Sequence, residues 1–214
     1  VGQDTDIVFL CQPNNPTGRI TPPALVEKLL RRCAASGAVL AVDECFLDFA
    51  AGREALTAKA FLQEYPNLIL IKAFTKLYAM AGVRLGYALC SNTALLEKMR
   101  AAGQPWAVSA LAQAAGTAAL DEVAYADAVR ALVAQQRPVL TSGLRALGLR
   151  VIEGSANFLL FCAPADLGQK LRQRGAVVRS CGNYPGLDAT WYRTAVRTEA
   201  ENRQLLRLIK EVLE

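Results

Sequence analysis

The chain has 214 residues, 53% of them hydrophobic and 20% charged, with a formal net charge of +5 and no histidine. This length allows one sizeable core, or one core plus a small second domain, and the composition excludes a disordered tail. The absence of histidine removes Ser-His-Asp and Cys-His catalysis and the usual zinc sites, so acid–base chemistry falls to Lys, Tyr, Cys or a carboxylate.

Ile7–Cys11 is an apolar run of strand length and is followed by the turn sequence QPNNPTG. Thr21 is the expected N-cap of a helix that opens on Pro22 and Pro23, runs over Ala24–Ala35 and ends at Gly37. Ala38–Val42 is the next strand, with Asp43 at its carboxyl end. A short helix is expected at Phe61–Glu64, and strands at Asn67–Ile71 and Arg84–Cys90. Strands alternating with helices imply an α/β domain with a mostly parallel sheet, in which ligands bind at the carboxyl ends of the strands. Asn15, Asp43 and Lys76 all follow strand runs there. From Asn92 to about Leu147 the chain is alanine-rich and helical. Gly103 and Pro105 break it early, and a long helix over Tyr125–Leu147 contains Pro138, an expected kink, before a C-cap at Gly148. Strands near Asn157–Cys162, Ala176–Arg179 and Trp191–Val196, with helices at Ala165–Arg174 and Glu199–Leu213, describe a small α+β domain. The expected division is 1–120 for a cofactor-binding portion, 121–147 for a connecting helix and 148–214 for the small domain.

The six cysteines, at 11, 33, 45, 90, 162 and 181, form no CxxC pair, and several lie inside apolar runs. They are expected to be reduced, buried thiols of a cytoplasmic protein. The basic residues are spread along helices and not gathered into a stripe, which argues against nucleic acid and for small anionic substrates. No apolar run reaches the roughly 20 residues that a helix needs to cross a bilayer, so no membrane partner is expected.

Four segments, CQPNNPTGRI, AVDECFLDF, KAFTKLYAMAGVRLGY and WYRTAVRTEAEN, occur in this order over nearly the whole chain. Together they resemble the class I and II aminotransferases, pyridoxal-phosphate enzymes of fold type I. The resemblance implies an α/β large-domain portion plus a small C-terminal domain, pyridoxal 5'-phosphate as cofactor, and a homodimer. It implies that Lys76 carries the cofactor and moves protons at the substrate α-carbon. Asp43 would pair with the pyridine nitrogen and keep it protonated, since an opposite charge favours the charged form. Asn15 would donate to the ring phenolate oxygen, Arg84 and Thr75 would hold the cofactor phosphate, and Arg193 would clamp the substrate α-carboxylate. Gly82 and Gly86 would let the backbone pass close to the cofactor.

Three departures stand out. Phe46 lies where the family often has a tyrosine that adds a hydrogen bond to the phenolate oxygen, and Ala73 lies where a hydroxyl residue is usual. The family's glycine-rich phosphate loop and ring-stacking aromatic, which lie upstream of the NPTG turn, have no counterpart in these residues. The chain by itself is therefore expected to bind the cofactor weakly or not at all.

Arg179 lies fourteen positions before Arg193, and the stretch between resembles two branches of the family, the threonine-phosphate decarboxylases and the histidinol-phosphate aminotransferases. Both imply Arg179 against the phosphate of a phosphorylated amino acid or amino alcohol. The wording DECFLDF, TKLYAMAG and AVRTEAEN is closer to the decarboxylase branch, which belongs to cobalamin synthesis. An aminotransferase-like effector module of a transcription regulator is the alternative of another class. Arg197 is read either as a second arginine that alters how the carboxylate is held or as a solvated surface charge.

Overall fold

A computed structural model describes residues 1–214. The chain divides into two compact units, one of Val1–Gln12 with Ile20–Asp127, the other of Pro13–Arg19 with Ala128–Glu214.

The first unit is built on a four-stranded sheet in the order β1 (Ile7–Cys11), β2 (Val39–Asp43), β3 (Leu68–Ala73), β4 (Gly86–Leu89). The first three strands run parallel and β4 pairs antiparallel with β3, so the sheet is mostly parallel with one reversed edge. Alternate residues Leu40, Val42, Leu68 and Leu70 form one core face, against which α1 (Pro23–Ser36) lays Val26, Leu30 and Cys33, one helical stripe at i, i+4 and i+7. Pro22, not Thr21, is the N-cap of α1 and makes no side-chain cap. The backbone N–H of Thr21 is instead engaged by the buried Gln12 side chain. Gly37 ends α1 in the left-handed region, with Gly37 N–H donating to Ala34 and Ala38 N–H to Cys33, a Schellman closure.

After β2 come α2 (Arg53–Leu56) and a 3-10 turn over Ala58–Phe61. The turn lies earlier than the helix expected at Phe61–Glu64, because Thr57 caps it by accepting from Lys59 N–H. Helices α3 (Thr93–Ala102) and α4 (Ala110–Asp121) follow β4, capped by Asn92 and Ser109. α5 (Val123–Ala146) continues through Pro138 as one 24-residue helix. It ends on Gly148 in the same Schellman pattern as α1.

The second unit holds an antiparallel sheet in the order β5 (Arg150–Ile152), β6 (Phe158–Cys162), β8 (Trp191–Ala195), β7 (Arg179–Ser180). The strand expected over Ala176–Arg179 shrinks to two residues, because only Arg179 and Ser180 find partners, on Arg193 and Tyr192 of β8. Leu159, Phe161 and Tyr192 of this sheet pack with Leu167 and Leu171 of α6 (Leu167–Gln173) and with Leu208 and Ile209 of α7 (Glu199–Leu213). α7 starts on a capping box between Thr198 and Glu201. No helix is long and apolar enough to cross a membrane.

Candidate active site

In the first unit the carboxyl ends of the parallel strands carry Cys11, Asp43 and Ala73. Asp43 is the last residue of β2 and the register partner of Cys11 and Ile71. One of its carboxylate oxygens accepts the Cys45 N–H at 2.9 Å, which fixes the side chain over the turn that follows. Lys76 lies in the turn after β3, exposed, with Nζ 5.2 Å from the centre of the Phe46 ring. The phenylalanine that replaces the usual tyrosine thus presents its electron-rich face to the ammonium. Burial pushes the Cys45 thiol up to about 12. Its hydrogen bond to Asp43, the Asp43 charge and Cys11 add to that, and Lys76 pulls the other way. Asp43 and Lys76 therefore act on one thiol from opposite sides of its titration.

Thr75 is half-buried in the same turn. Arg84 is exposed at φ 59°, a left-handed conformation that a non-glycine residue adopts at a cost, and Nη1 donates to Ala81 O at 2.9 Å. Ala79, at φ 54°, is the second such residue between Lys76 and β4. Each of these two conformations costs energy that the surrounding packing must offset. The loop is seated by α4, where Gly116 admits Leu85; a Cβ on Gly116 would lie 2.3 Å from a Leu85 methyl.

The glycines expected to approach the cofactor differ in kind. A Cβ on Gly82 would meet nothing within 4 Å, whereas one on Gly86 would lie 2.9 Å from the Lys72 carbonyl. Gly86 is thus required by the β3–β4 pairing.

Beneath Asp43 and Lys76, on the other face of the sheet, is a buried charge cluster. The fully buried Glu44 accepts from Ala58 N–H at 2.7 Å and from the Thr57 hydroxyl at 2.8 Å, and pairs with Lys72 at 3.6 Å. Lys72 also reaches Asp48 at 3.3 Å. Burial pushes Glu44 up, and its backbone, hydroxyl and lysine partners pull it back only in part. For Lys72 burial pulls down, but Asp48 and Glu44 together outweigh it and its pKa is raised. Glu44 follows Asp43 directly, and Lys72 lies four residues before Lys76, so this pair ties together the two segments that carry them.

The second unit contains Asn15, Arg179 and Arg193. Arg179 and Arg193 are directly opposite one another in the β7–β8 register, which puts both side chains on one face of the sheet. Arg193 donates through Nη1 to Asn15 Oδ1 at 2.5 Å, and its guanidinium stands 5.0 Å over the Phe158 ring. Arg179 donates through Nη2 to Asn183 Oδ1 at 3.3 Å. Each guanidinium is thus held by a neutral amide oxygen, and its charge stays available to a ligand. Arg197 is different: Glu201 holds it in an ion pair at the start of α7, so its charge is already matched by a carboxylate. The field of the arginine pair is felt by the buried Cys181, whose thiol is pushed up by burial while Arg193 and Arg179 pull it down.

Asn15 rides on the Pro13–Arg19 turn, whose backbone packs closely on Gly154 and Ser155 of the same unit. Ser155 N–H donates to Gly18 O at 2.7 Å, and a Cβ on Gly154 would lie 2.8 Å from Thr17 O and 2.9 Å from Gly18 Cα. The Asn15 amide oxygen also accepts from the Tyr184 hydroxyl at 3.4 Å. The structure therefore groups Asp43, Thr75, Lys76 and Arg84 in the first unit and Asn15, Arg179 and Arg193 in the second. Sequence reasoning missed Cys45, Asn183 and Tyr184, none of which has a spacing that separates it from an ordinary turn or loop residue.

Residues 1–209 match the family model described as aminotransferase class I and II. The threonine-phosphate decarboxylase of Salmonella typhimurium is 36% identical over 98% of this chain and 58% of its own length. The histidinol-phosphate aminotransferase of Symbiobacterium thermophilum is 36% identical over 97% of this chain and 56% of its own length. Among solved structures, the histidinol-phosphate aminotransferase of Clostridium acetobutylicum superposes with a TM-score of 0.93 at 28% identity, covering 98% of this chain and 64% of that one. The chain thus has the fold type I architecture of these proteins, and it spans less than three fifths of the length of the curated relatives it matches.

Proposed function

The chain belongs to the class I and II aminotransferases, and on that premise we propose that it serves a pyridoxal-phosphate-dependent reaction at the α-carbon of a phosphorylated amino acid, decarboxylation of threonine phosphate being the reading preferred. The observation that carries the substrate class is the cross-strand pair Arg179–Arg193. Like charges directly opposite in a sheet are destabilising, and here neither is neutralised by a carboxylate. Such a pair suits a substrate with two anionic groups. Arg193 takes the α-carboxylate and Arg179 the phosphate, each through the two-pronged geometry a guanidinium offers.

The donor set fits the cofactor: Lys76 is an exposed amine beside an aromatic face, Asp43 a half-exposed carboxylate at a strand end, and Arg84 an exposed guanidinium in a strained loop. Pyridoxal phosphate, when bound, supplies an electron sink for the pair of electrons released at the α-carbon. Asp43 would hold the proton on the ring nitrogen by its charge, Asn15 Nδ2 would donate to the ring oxygen, and Arg84 and Thr75 would hold the phosphate. Lys76 Nζ would move the proton at the α-carbon, delivering one after carbon dioxide leaves or removing one where the reaction is amino transfer. By holding the substrate carboxylate, Arg193 would set the orientation of the α-carbon and so which of its bonds breaks.

The equal likeness to a histidinol-phosphate aminotransferase supports a second reading, amino transfer from histidinol phosphate. The experiment is run on the intact protein with pyridoxal phosphate. Carbon dioxide released from threonine phosphate, lost in Lys76→Ala along with the visible absorption of the bound cofactor, supports the first reading. Amino transfer from histidinol phosphate to 2-oxoglutarate without carbon dioxide moves the function to the second. No bound cofactor in the unaltered protein overturns both.

A further inference from the structure

Tyr184 lies in the loop between β7 and β8, and nothing in the family resemblance gives it a role. Its hydroxyl is 3.4 Å from Asn15 Oδ1, the same oxygen that takes the Arg193 Nη1 hydrogen bond. A guanidinium has only donors, so Asn15 must turn its oxygen toward Arg193 and its Nδ2 away. That leaves the amide's donor end for the cofactor's ring oxygen. In the free site the shorter, charged Arg193 donor holds this orientation by itself, and the Tyr184 hydroxyl is a second, longer contact on the same oxygen.

Loading changes the balance. A carboxylate on Arg193 would be a charged acceptor, and charge-assisted hydrogen bonds are roughly twice as strong as neutral ones, so it would compete with the Asn15 amide for the guanidinium's donors. Tyr184 does not depend on Arg193 for its own place. Tyr184 N–H donates to Cys181 O at 3.0 Å and Leu187 N–H to Tyr184 O at 3.0 Å, so the loop is turned upon itself. Gly182 packs so tightly on Asp188 and Ala189 that a Cβ there would meet their backbone at 3.1 Å. The phenol is therefore carried on a stiff perch beside Asn15.

We infer that Tyr184 is a positioning residue that keeps the Asn15 amide oriented when substrate occupies Arg193. The inference rests on the reading of Arg193 and Asn15 proposed above. It separates Tyr184 from an ordinary packing residue, because its effect belongs to the loaded state alone.

The test uses the intact protein with cofactor, in wild-type, Tyr184→Phe and Arg193→Lys forms. The probe is 3-phosphoglycerate, which has a carboxylate and a phosphate but no amine and so cannot react. The readouts are the cofactor dissociation constant and the pH titration of its visible band, each with and without probe. Without probe, Tyr184→Phe matches wild type within twofold in cofactor affinity and titrates at the same pH. With probe saturating, the Asn15 amide loses its remaining orienting donor and its Nδ2 hydrogen bond to the ring oxygen weakens, so the cofactor binds its proton about three- to tenfold more strongly, the range of one neutral hydrogen bond, and the titration moves to higher pH. Identical titrations with probe overturn the inference. A change already present without probe assigns Tyr184 a structural role and also overturns it. If the probe does not bind, or binds equally well to Arg193→Lys, the carboxylate reading of Arg193 fails and takes the inference with it.

Discussion

Removing Lys72 tests how the buried charge cluster supports the site. Glu44 is fully buried, and Lys72 is 18% exposed in its side chain. In Lys72→Met, Glu44 keeps the Ala58 N–H and the Thr57 hydroxyl but loses its countercharge. Breaking a buried pair from one side costs about 3–5 kcal/mol, because an uncompensated charge remains. Glu44 can escape part of that cost by taking up a proton. Its folded pKa is already raised by burial, and loss of Lys72 removes one of the influences that lower it. A raised carboxyl contributes stability that is fully present below its unfolded pKa, about 4.3, and is lost as pH rises through the folded pKa. Between those values stability falls by up to about 1.4 kcal/mol per pH unit. Lys72→Met is therefore expected to lose about 3–5 kcal/mol at pH 8 and clearly less at pH 5. Urea unfolding followed by circular dichroism at the two pH values measures the difference. Adding Glu44→Gln to Lys72→Met should flatten the profile. An equal loss at pH 5 and pH 8, or a slope that survives Glu44→Gln, refutes the reasoning.

Gly154→Ala should displace the turn that carries Asn15, since the new methyl meets backbone on two sides. Its overpacking cost is about 1–3 kcal/mol, and cofactor affinity should fall with stability; stability lost with affinity unchanged would count against the placement of Asn15 by this packing. Cys45, with a thiol pushed up to about 12, should stay unmodified by iodoacetamide at pH 8, and Asp43→Ala should make it more reactive by removing a hydrogen bond and a charge. Peptide mass spectrometry reads both, and early alkylation of Cys45 in the unaltered protein contradicts the geometry. Thr198→Ala removes the capping box of α7 and should cost about 1 kcal/mol, visible as a lower thermal midpoint. The Arg197 and Thr198 side chains hold the Glu201 carboxyl down at about 2, so its contribution is fully present above its unfolded pKa and is lost as pH falls from there through about 2. Glu201→Gln should therefore have a flatter acid limb than wild type, and an unchanged limb in acid titration would contradict this.

Periodicity and punctuation determined much of this protein. β1 over Ile7–Cys11 and α7 over Glu199–Leu213 coincide with the runs read from sequence, because their apolar spacing and caps are local signals. Gly37 and Gly148 mark helix ends by the left-handed conformation that only glycine adopts cheaply. The residue types at Asn15, Asp43, Lys76 and Arg193 identified the family, because their chemistry is bound to their order along the chain. Other features depended on contacts between residues far apart in sequence, and no local pattern encodes them. The first helix starts one residue later than its threonine suggests, since Gln12 captures the Thr21 N–H. Gly86 is demanded by the neighbouring strand, and Arg197 is claimed by Glu201. The turn Pro13–Arg19 leaves β1 yet belongs to the second unit, where Gly154 admits its backbone. Only the β7–β8 register set Arg179 opposite Arg193, and only that packing brought the Tyr184 hydroxyl, 169 residues away in the chain, onto Asn15. Register and packing are decided by the whole fold's burial, whereas sequence fixes only which side chains are available to be brought together.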